Sequence, residues 1–267
     1  MGNIFDTPGM AAGYANARPP VHPHIIEGAR KHLRMALPAE RALDVGCGAG
    51  LSTRALQGIA RQCLGIDPSA AMVNCAASLV PGASFMVGNA EELPVPSASM
   101  NLITAAGSLN YADLSRFFPE AVRALAPGGV LVVYDFSQGR CFRDAPDLDS
   151  WFSEFLRRYP MPTSSARELN PEILKNFDSG LRVYASEQFE IGLPLSPEAY
   201  LKYVLTETNV AHAIEKGTPE ELIRSWCAET LAPVFGNRSR EILFRGYFAC
   251  MSKPALPESP SSLRIAV

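Results

Sequence analysis

The sequence predicts a doubly wound α/β fold built on a mostly parallel sheet of seven strands. Three observations lead there. Short apolar runs alternate with helical stretches along most of the chain, the pattern of a parallel sheet covered on both faces. The first run, 41–46, feeds a glycine-rich turn, Gly46-Cys47-Gly48-Ala49-Gly50. The second, 63–67, ends on an acid, Asp67.

Taken in order, residues 1–20 are rich in Gly, Ala and Pro and are expected to wrap the surface. Over 21–37, Ile25, Ile26, Ala29, Leu33 and Leu37 recur at helical spacing, and Pro38 is expected to end that helix. Strands are predicted at 41–46, 63–67, 84–88, 100–105 and 130–136. The helix after the first begins near Leu51, and Pro68 and Ser69 open the one after the second. A helix near 114–125 stops at Ala126-Pro127-Gly128-Gly129. Right-handed crossovers between these strands make the sheet doubly wound.

Beyond the fifth strand the pattern loosens. Trp151, Phe152, Phe155, Leu156 and Tyr159 predict one helix within an irregular stretch, 140–180. A sixth strand follows at 182–191, and 196–235 reads as helical, bounded by Pro197, Thr218-Pro219 and Pro233. The seventh strand is 241–251, and a Pro/Ser-rich tail from 254 is expected to be disordered.

Composition excludes several function classes. The chain has 267 residues, 47% of them hydrophobic, which suits one large folded domain, or one domain with a subdomain. Net charge is −3 and no basic stripe is visible, which argues against a nucleic-acid partner. The six cysteines, at 47, 63, 75, 141, 227 and 250, have no zinc or redox spacing and read as reduced, mostly buried thiols. No metal site is expected. The start, MGNIFDTPGM, has no basic segment followed by an apolar run, and Asp6 stands where a myristoylation site wants Ser or Thr. No apolar run is long enough to span a bilayer, so no membrane partner and a cytoplasmic location are expected.

Glycine spacing then narrows the ligand. A dinucleotide fingerprint places its third glycine three residues after the second, where Leu51 stands here. A Walker-type phosphate loop needs Gly-Lys-Ser/Thr, which is missing. Asp67 at the end of the second strand suits the two hydroxyls of a ribose. Its alternative reading is a cap on the next helix through Ser69 or Ala70.

Four stretches together, LDVGCGAG (43–50), GIDPS (65–69), GNAEELPVPSASMNLITAAGSLNYAD (88–113) and LAPGGVLVVYDFS (125–137), resemble the class I S-adenosylmethionine-dependent methyltransferases. The resemblance is nearest to their small-molecule, ubiquinone/menaquinone-type (type 11-like) branch. It implies a Rossmann-like domain at 39–253, in which 140–235 contains a helical insertion forming a lid over the substrate. It also implies an arm and helix at 1–38 over the cofactor, and leaves 254–267 as a tail. The cofactor would be S-adenosylmethionine, the product S-adenosylhomocysteine and the partner a small-molecule methyl acceptor.

The same resemblance implies roles by residue. Gly46, Gly48 and Gly50 would pass beneath the methionine and ribose of the cofactor. Asp44 would hold the ammonium, directly or through water, and Asp67 the ribose. Pro68, Ser69 and Met72 would lie near the adenine. Asn89, Ala90 and Glu91 fall where the family often has Asp-Ala; the Asn89 amide still accepts from an amino group and donates to a ring nitrogen. Ala106, Gly107 and Ser108 would line the sulfonium and the substrate entrance. Tyr14 and Arg18, in a YxxxRP stretch, would close over the cofactor, with Arg18 on its carboxylate.

No catalytic residue is singled out. The candidate bases are His22, His24, His212, Tyr111 and Glu207, with His212 and Glu207 in the polar patch 206–212. His22 and His24 precede a helix and read as surface or capping residues. Cys47 lacks a nearby base and reads as structural rather than nucleophilic. Three alternatives stay open: a non-catalytic binder of the same cofactor, a nucleic-acid or protein methyltransferase, and a NAD-dependent oxidoreductase. The first is discriminated by turnover. The second is disfavoured because Ala106-Gly107-Ser108-Leu109-Asn110-Tyr111 replaces the Asn/Asp-Pro-Pro-Tyr/Phe of amino-group enzymes. The third is discriminated by NAD affinity.

Overall fold

A computed structural model describes residues 8–254. The chain runs α1 (Pro8–Ala17), α2 (Val21–Arg30), β1 (Ala39–Val45), α3 (Leu51–Leu56), β2 (Ala60–Asp67), α4 (Ala70–Leu79), β3 (Ser84–Val87), β4 (Met100–Ala106), α5 (Leu114–Ala124) and β5 (Leu125–Phe136). It continues through β6 (Cys141–Phe142), α6 (Asp147–Arg158), α7 (Pro171–Asn176), β7 (Arg182–Leu195), α8 (Pro197–Val204), α9 (Thr208–Glu215), α10 (Glu220–Phe235) and β8 (Arg240–Ser252).

Among the described residues, one sheet takes all eight strands. From one edge, β3, β2, β1, β4 and β5 lie parallel; β8 pairs antiparallel with β5, and β7 pairs antiparallel with β8. The two-residue β6 pairs with β8 at Leu243 and Ile242, on from the stretch of β8 that pairs with β5. β5 and β6 therefore share one lane, and eight strands fill the seven lanes predicted. The winding reverses between β1 and β4. Ligands of open α/β sheets bind in the crevice beyond the strand ends at such a point.

Period-two alternation gives the sheet two cores. Leu43, Val45, Ile103, Leu131 and Val133 point to one face, where Leu114, Phe117, Phe118, Ala121 and Ala124 of α5 cover them. Ala42, Leu102, Val130, Val132 and Tyr134 point to the other, against Val21, Ile25, Ile26 and Ala29 of α2. Burying one such side chain contributes about 1.5–3 kcal/mol, so a one-residue slip of β1 or β5 would lose many of them at once.

Side chains cap several helix starts. The Ser69 hydroxyl accepts from the Met72 N–H at 3.2 Å and caps α4. Asp113 accepts from the Ser115 N–H at 3.0 Å and caps α5.

Several boundaries differ from expectation. Within 1–20, residues 8–17 form helix α1; residues 1–7, and the predicted tail beyond Pro254, lie outside the described residues. α2 stops at Arg30 instead of 37, because Leu33, Met35 and Leu37 pack on the core from a non-helical connector. The apolar spacing was real, but packing did not need a helix to use it. Pro233 lies inside α10, which ends at Gly236 in the left-handed conformation (φ +61°).

Candidate functional site

The first turn after β1 builds the floor of the site. The Gly46 and Cys47 N–H groups both donate to the Ile66 carbonyl, at 2.8 and 2.9 Å, tying the turn to β2. Gly46 has φ +70°, and a Cβ there would stand 2.2 Å from Ser108 Cβ. The Ser108 hydroxyl donates to the Val45 carbonyl at 2.6 Å. The loop after β4 thus lies hard against the first glycine, and only glycine fits. Gly48 is the opposite case: φ is +51°, and a Cβ would meet nothing within 4 Å.

Asp67 ties the loop from the other side. One oxygen accepts from the Gly48 N–H at 2.9 Å and the other from the Ser69 N–H at 2.9 Å. Asp67 thus bonds the N–H of Ser69, which itself caps α4, as well as the loop.

Asp44 is placed differently from expectation. It is fully buried, and it accepts from the hydroxyls of Ser52 (2.6 Å), Thr53 (2.6 Å) and Thr104 (2.8 Å). Burial pushes its carboxyl up, against the lowering effect of those three donors. It stands below the loop as a brace, with no surface for direct contact with a ligand ammonium.

A cavity of about 710 Å³ opens above this floor. Of the predicted residues, Tyr14, Arg18, Gly46, Gly48, Ala106, Gly107, Tyr111 and Glu207 line it. The others do not. Gly50 packs on Ala76 of α4 and on Val80 just past its end. Met72 is buried with Ala11, Ala15 and Ala49, and Ser69 is buried at its cap. Pro68 is exposed beside Asp67, Asn89 is exposed in a turn, and Ala90 packs on the α5-side core. Glu91 accepts from the Asp113 N–H at 2.7 Å and holds the entry to α5. Ser108 is committed to Val45. His212 stands away from the cavity lining, on α9, 3.9 Å from Glu215.

Arg18 and Glu207 meet on the cavity wall at 3.5 Å, with side chains 16% and 4% exposed. Arg18 also donates to the Thr206 carbonyl at 3.1 Å and lies 3.9 Å over the Tyr14 ring. Burial pushes the Glu207 carboxyl up, against the opposing pull of Arg18 and Arg140. Burial alone would lower the Arg18 guanidinium, but Tyr14, Tyr203 and Glu207 outweigh it.

His22 corrects the surface reading: it lines the cavity, and its Nδ1 shares a 2.9 Å hydrogen bond with the Tyr134 hydroxyl. Desolvation first, and the Arg18 charge second, push its pKa down to about 4, so the ring is neutral at pH 7. His24 is exposed. Cys47 is buried, and desolvation pushes its thiol far up, which suits a packing role.

Sequence reasoning missed Asn110, Asp135, Glu168 and Tyr247, all of which line the cavity. Asp135 had a readable signal, an acid at the end of an apolar strand. Tyr247 had none, because only its pairing with Asp135 brings it there.

Among the described residues, no cluster of three or more His, Cys, Asp or Glu could hold a metal, and no helix is long and apolar enough to cross a membrane.

A family model described as a methyltransferase domain matches residues 43–133. Over 179 residues the chain is 30% identical to the phthiotriol/phenolphthiotriol dimycocerosates methyltransferase of Mycobacterium leprae, covering 65% of this chain and 64% of that one. It is 29% identical over 148 residues to the demethylmenaquinone methyltransferase of Beutenbergia cavernae, covering 55% and 60%. The chain thus spans less than two thirds of the length of these curated relatives. A protein assigned as a type II methyltransferase from Anaeromyxobacter dehalogenans shares the fold, with TM-score 0.67, 22% identity and coverage of 85% and 94%.

Proposed function

We propose that this chain, which carries a methyltransferase domain over residues 43–133, moves a methyl group from S-adenosylmethionine to a small-molecule acceptor and releases S-adenosylhomocysteine. The observation that carries the reading is the glycine loop. It sits at the switch point of the sheet, with Gly48 bare toward open space and Asp67 bonded at its rim. A backbone without a side chain there lets a ligand approach closely. The cavity volume is in the range of small-molecule sites, about 300–1,000 Å³.

In this reading Gly46, Cys47, Gly48 and Ala49 form the surface under the cofactor. Asp67 takes the ribose hydroxyls, with Pro68 beside the adenine. Ala106 and Gly107 border the methyl-transfer end, and Tyr14 and Arg18 cover it. Asp44 acts from beneath, holding Ser52, Thr53 and Thr104 so that β1, α3 and β4 keep the loop in shape. When bound, S-adenosylmethionine supplies an activated methyl group, so the residues mostly position reactants and exclude water. Orientation of this kind contributes about 7–11 kcal/mol in favourable cases. Should the acceptor carry a proton, neutral His22 on the cavity wall is placed to receive it, with Tyr134 fixing its ring. Polar groups among Phe136, Tyr203 and Phe244 suit a compact organic acceptor.

The test is isothermal titration with S-adenosylmethionine, S-adenosylhomocysteine and NAD, with the melting temperature followed in parallel. Asp67→Ala should weaken S-adenosylmethionine at least tenfold while the protein stays folded. Unchanged affinity would sink the ribose assignment, and binding of NAD alone would overturn the cofactor. Release of labelled product from methyl-labelled cofactor across a small-molecule panel separates an enzyme from a mere binder.

A further inference from the structure

We infer that the acceptor half of the cavity recognises a protonated amine, held by an anionic pole made of Asp135, Tyr247 and Glu168. The inference rests on the methyl-transfer reading above and names the charged group by which its acceptor is held; the ammonium has no free lone pair, so the atom that takes the methyl group lies elsewhere on the acceptor.

The pole follows from strand pairing. Asp135 of β5 and Tyr247 of β8 are directly opposed in register, so both side chains leave the same face of the sheet. Both line the cavity, as does the exposed Glu168. Asp135 is adjacent to the loop after β4: a Cβ on Gly107 would lie 3.0 Å from its Oδ1.

Neither group is balanced by the protein. Asp135 accepts from the Asn110 side-chain amide at 2.7 Å and from the Phe136 N–H at 2.8 Å. Both donors are neutral. Among the described residues no Lys, Arg or His forms an ion pair with Asp135, and the two arginines on the cavity wall are engaged elsewhere, Arg18 with Glu207 and Arg245 with Glu190. Tyr247 is 8% exposed, and its hydroxyl is buried with no hydrogen-bond partner. Burial pushes the Asp135 carboxyl up. Burial, then the Asp135 and Glu168 charges, push the Tyr247 phenol up.

An uncompensated carboxylate and an unpartnered buried hydroxyl both cost free energy. An ammonium answers both defects: it brings a positive charge and three donors for three oxygen-bearing side chains. A neutral hydroxyl supplies a donor without the charge. A carboxylate or phosphate meets like charge.

The full chain saturated with S-adenosylhomocysteine is titrated at pH 7.5 with benzylamine, benzyl alcohol and benzoate. Benzylamine should bind at least tenfold tighter than benzoate, with benzyl alcohol between them. Asp135→Asn should cut benzylamine affinity at least tenfold and leave S-adenosylhomocysteine affinity and melting temperature unchanged. Tyr247→Phe, a milder change, should cut it several-fold, and serves if the first variant fails to fold. No benzylamine binding, equal or tighter binding of benzoate, or benzylamine affinity unmoved by both variants overturns the proposal. So does a loss in Asp135→Asn confined to S-adenosylmethionine with S-adenosylhomocysteine unaffected, since Asp135 would then serve the sulfonium. If the wild type fails to bind S-adenosylhomocysteine, the methyl-transfer reading fails, and the same titrations without it decide the amine pole by themselves.

Discussion

The Arg18 guanidinium and the Glu207 carboxylate stand 3.5 Å apart on the cavity wall, and Arg18 also donates to the neighbouring Thr206 carbonyl, 188 positions along the chain. Arg18 follows α1, and Glu207 opens α9, so the pair fastens the N-terminal arm to the helical region beyond β5. Removing one partner of a buried pair leaves the other charge unbalanced, at about 3–5 kcal/mol. Because Arg18 keeps 16% exposure, Glu207→Gln should cost near the lower end, about 3 kcal/mol in urea denaturation. Arg18→Met combined with Glu207→Leu should recover part of that loss. A change within experimental error for Glu207→Gln would show that the pair does not fasten the arm.

Two glycines of one loop should respond differently. In Gly46→Ala the new Cβ meets Ser108 Cβ at 2.2 Å on a backbone at φ +70°. Ser108 cannot withdraw without releasing the Val45 carbonyl. Stability and cofactor affinity should both fall steeply. In Gly48→Ala nothing lies within 4 Å, and only φ +51° opposes the change. The left-handed backbone costs about 1–2 kcal/mol, so the fold should survive while S-adenosylmethionine binding drops by tenfold or more. Thermal melts with and without cofactor measure both. Equal losses of stability would remove the distinction between a packed and a ligand-facing glycine.

What was legible in the sequence depended on how local its cause was. β1, β2, β4 and β5 were readable because each buries a short apolar run, β3 was readable from its apolar residues although none of them is buried, and Ser69 was readable as a cap from its own neighbours. Leu33 and Leu37 misled, since helical spacing and a packed connector leave the same apolar marks. Asp44 looked like a ligand-facing acid. Its burial depends on hydroxyls eight, nine and sixty residues away. His22 was read as a surface residue because its partners, Tyr134 and Phe136, lie on a strand more than a hundred residues later. Tyr247 enters the cavity only through the β5–β8 register, which no local pattern specifies.

The Asp44 brace should be structural in its effects. Asp44→Ala leaves the Ser52, Thr53 and Thr104 hydroxyls without their acceptor in a buried place. Each orphaned donor costs about 1–3 kcal/mol, so the loss should exceed 3 kcal/mol and the variant should melt early. Thr104→Val removes a single donor and leaves Asp44 two partners, so it should cost clearly less. Denaturant midpoints rank the two. If Asp44→Ala were as stable as the wild type yet lost the cofactor, Asp44 would be a ligand residue after all.

His22 should give the protein a pH dependence of defined sign. Its folded pKa is pushed down from 6.5 to about 4, by desolvation and then by Arg18. Between those values the unfolded chain binds a proton that the folded chain refuses. Stability therefore rises with pH through the window and is lost as pH falls from about 6.5 towards 4. The full effect is at most about 3 kcal/mol. Protonation would also place a cation beside the Arg18 guanidinium and disturb the bond to Tyr134. His22→Gln keeps a group able to bond Tyr134 but cannot take up the charge. Urea denaturation at intervals from pH 7 to pH 4 should show the wild type losing stability faster than the variant, with the two curves converging toward the acid end. Parallel curves would mean that His22 titrates normally and faces water, and its place as proton acceptor in the cavity would fall with that result.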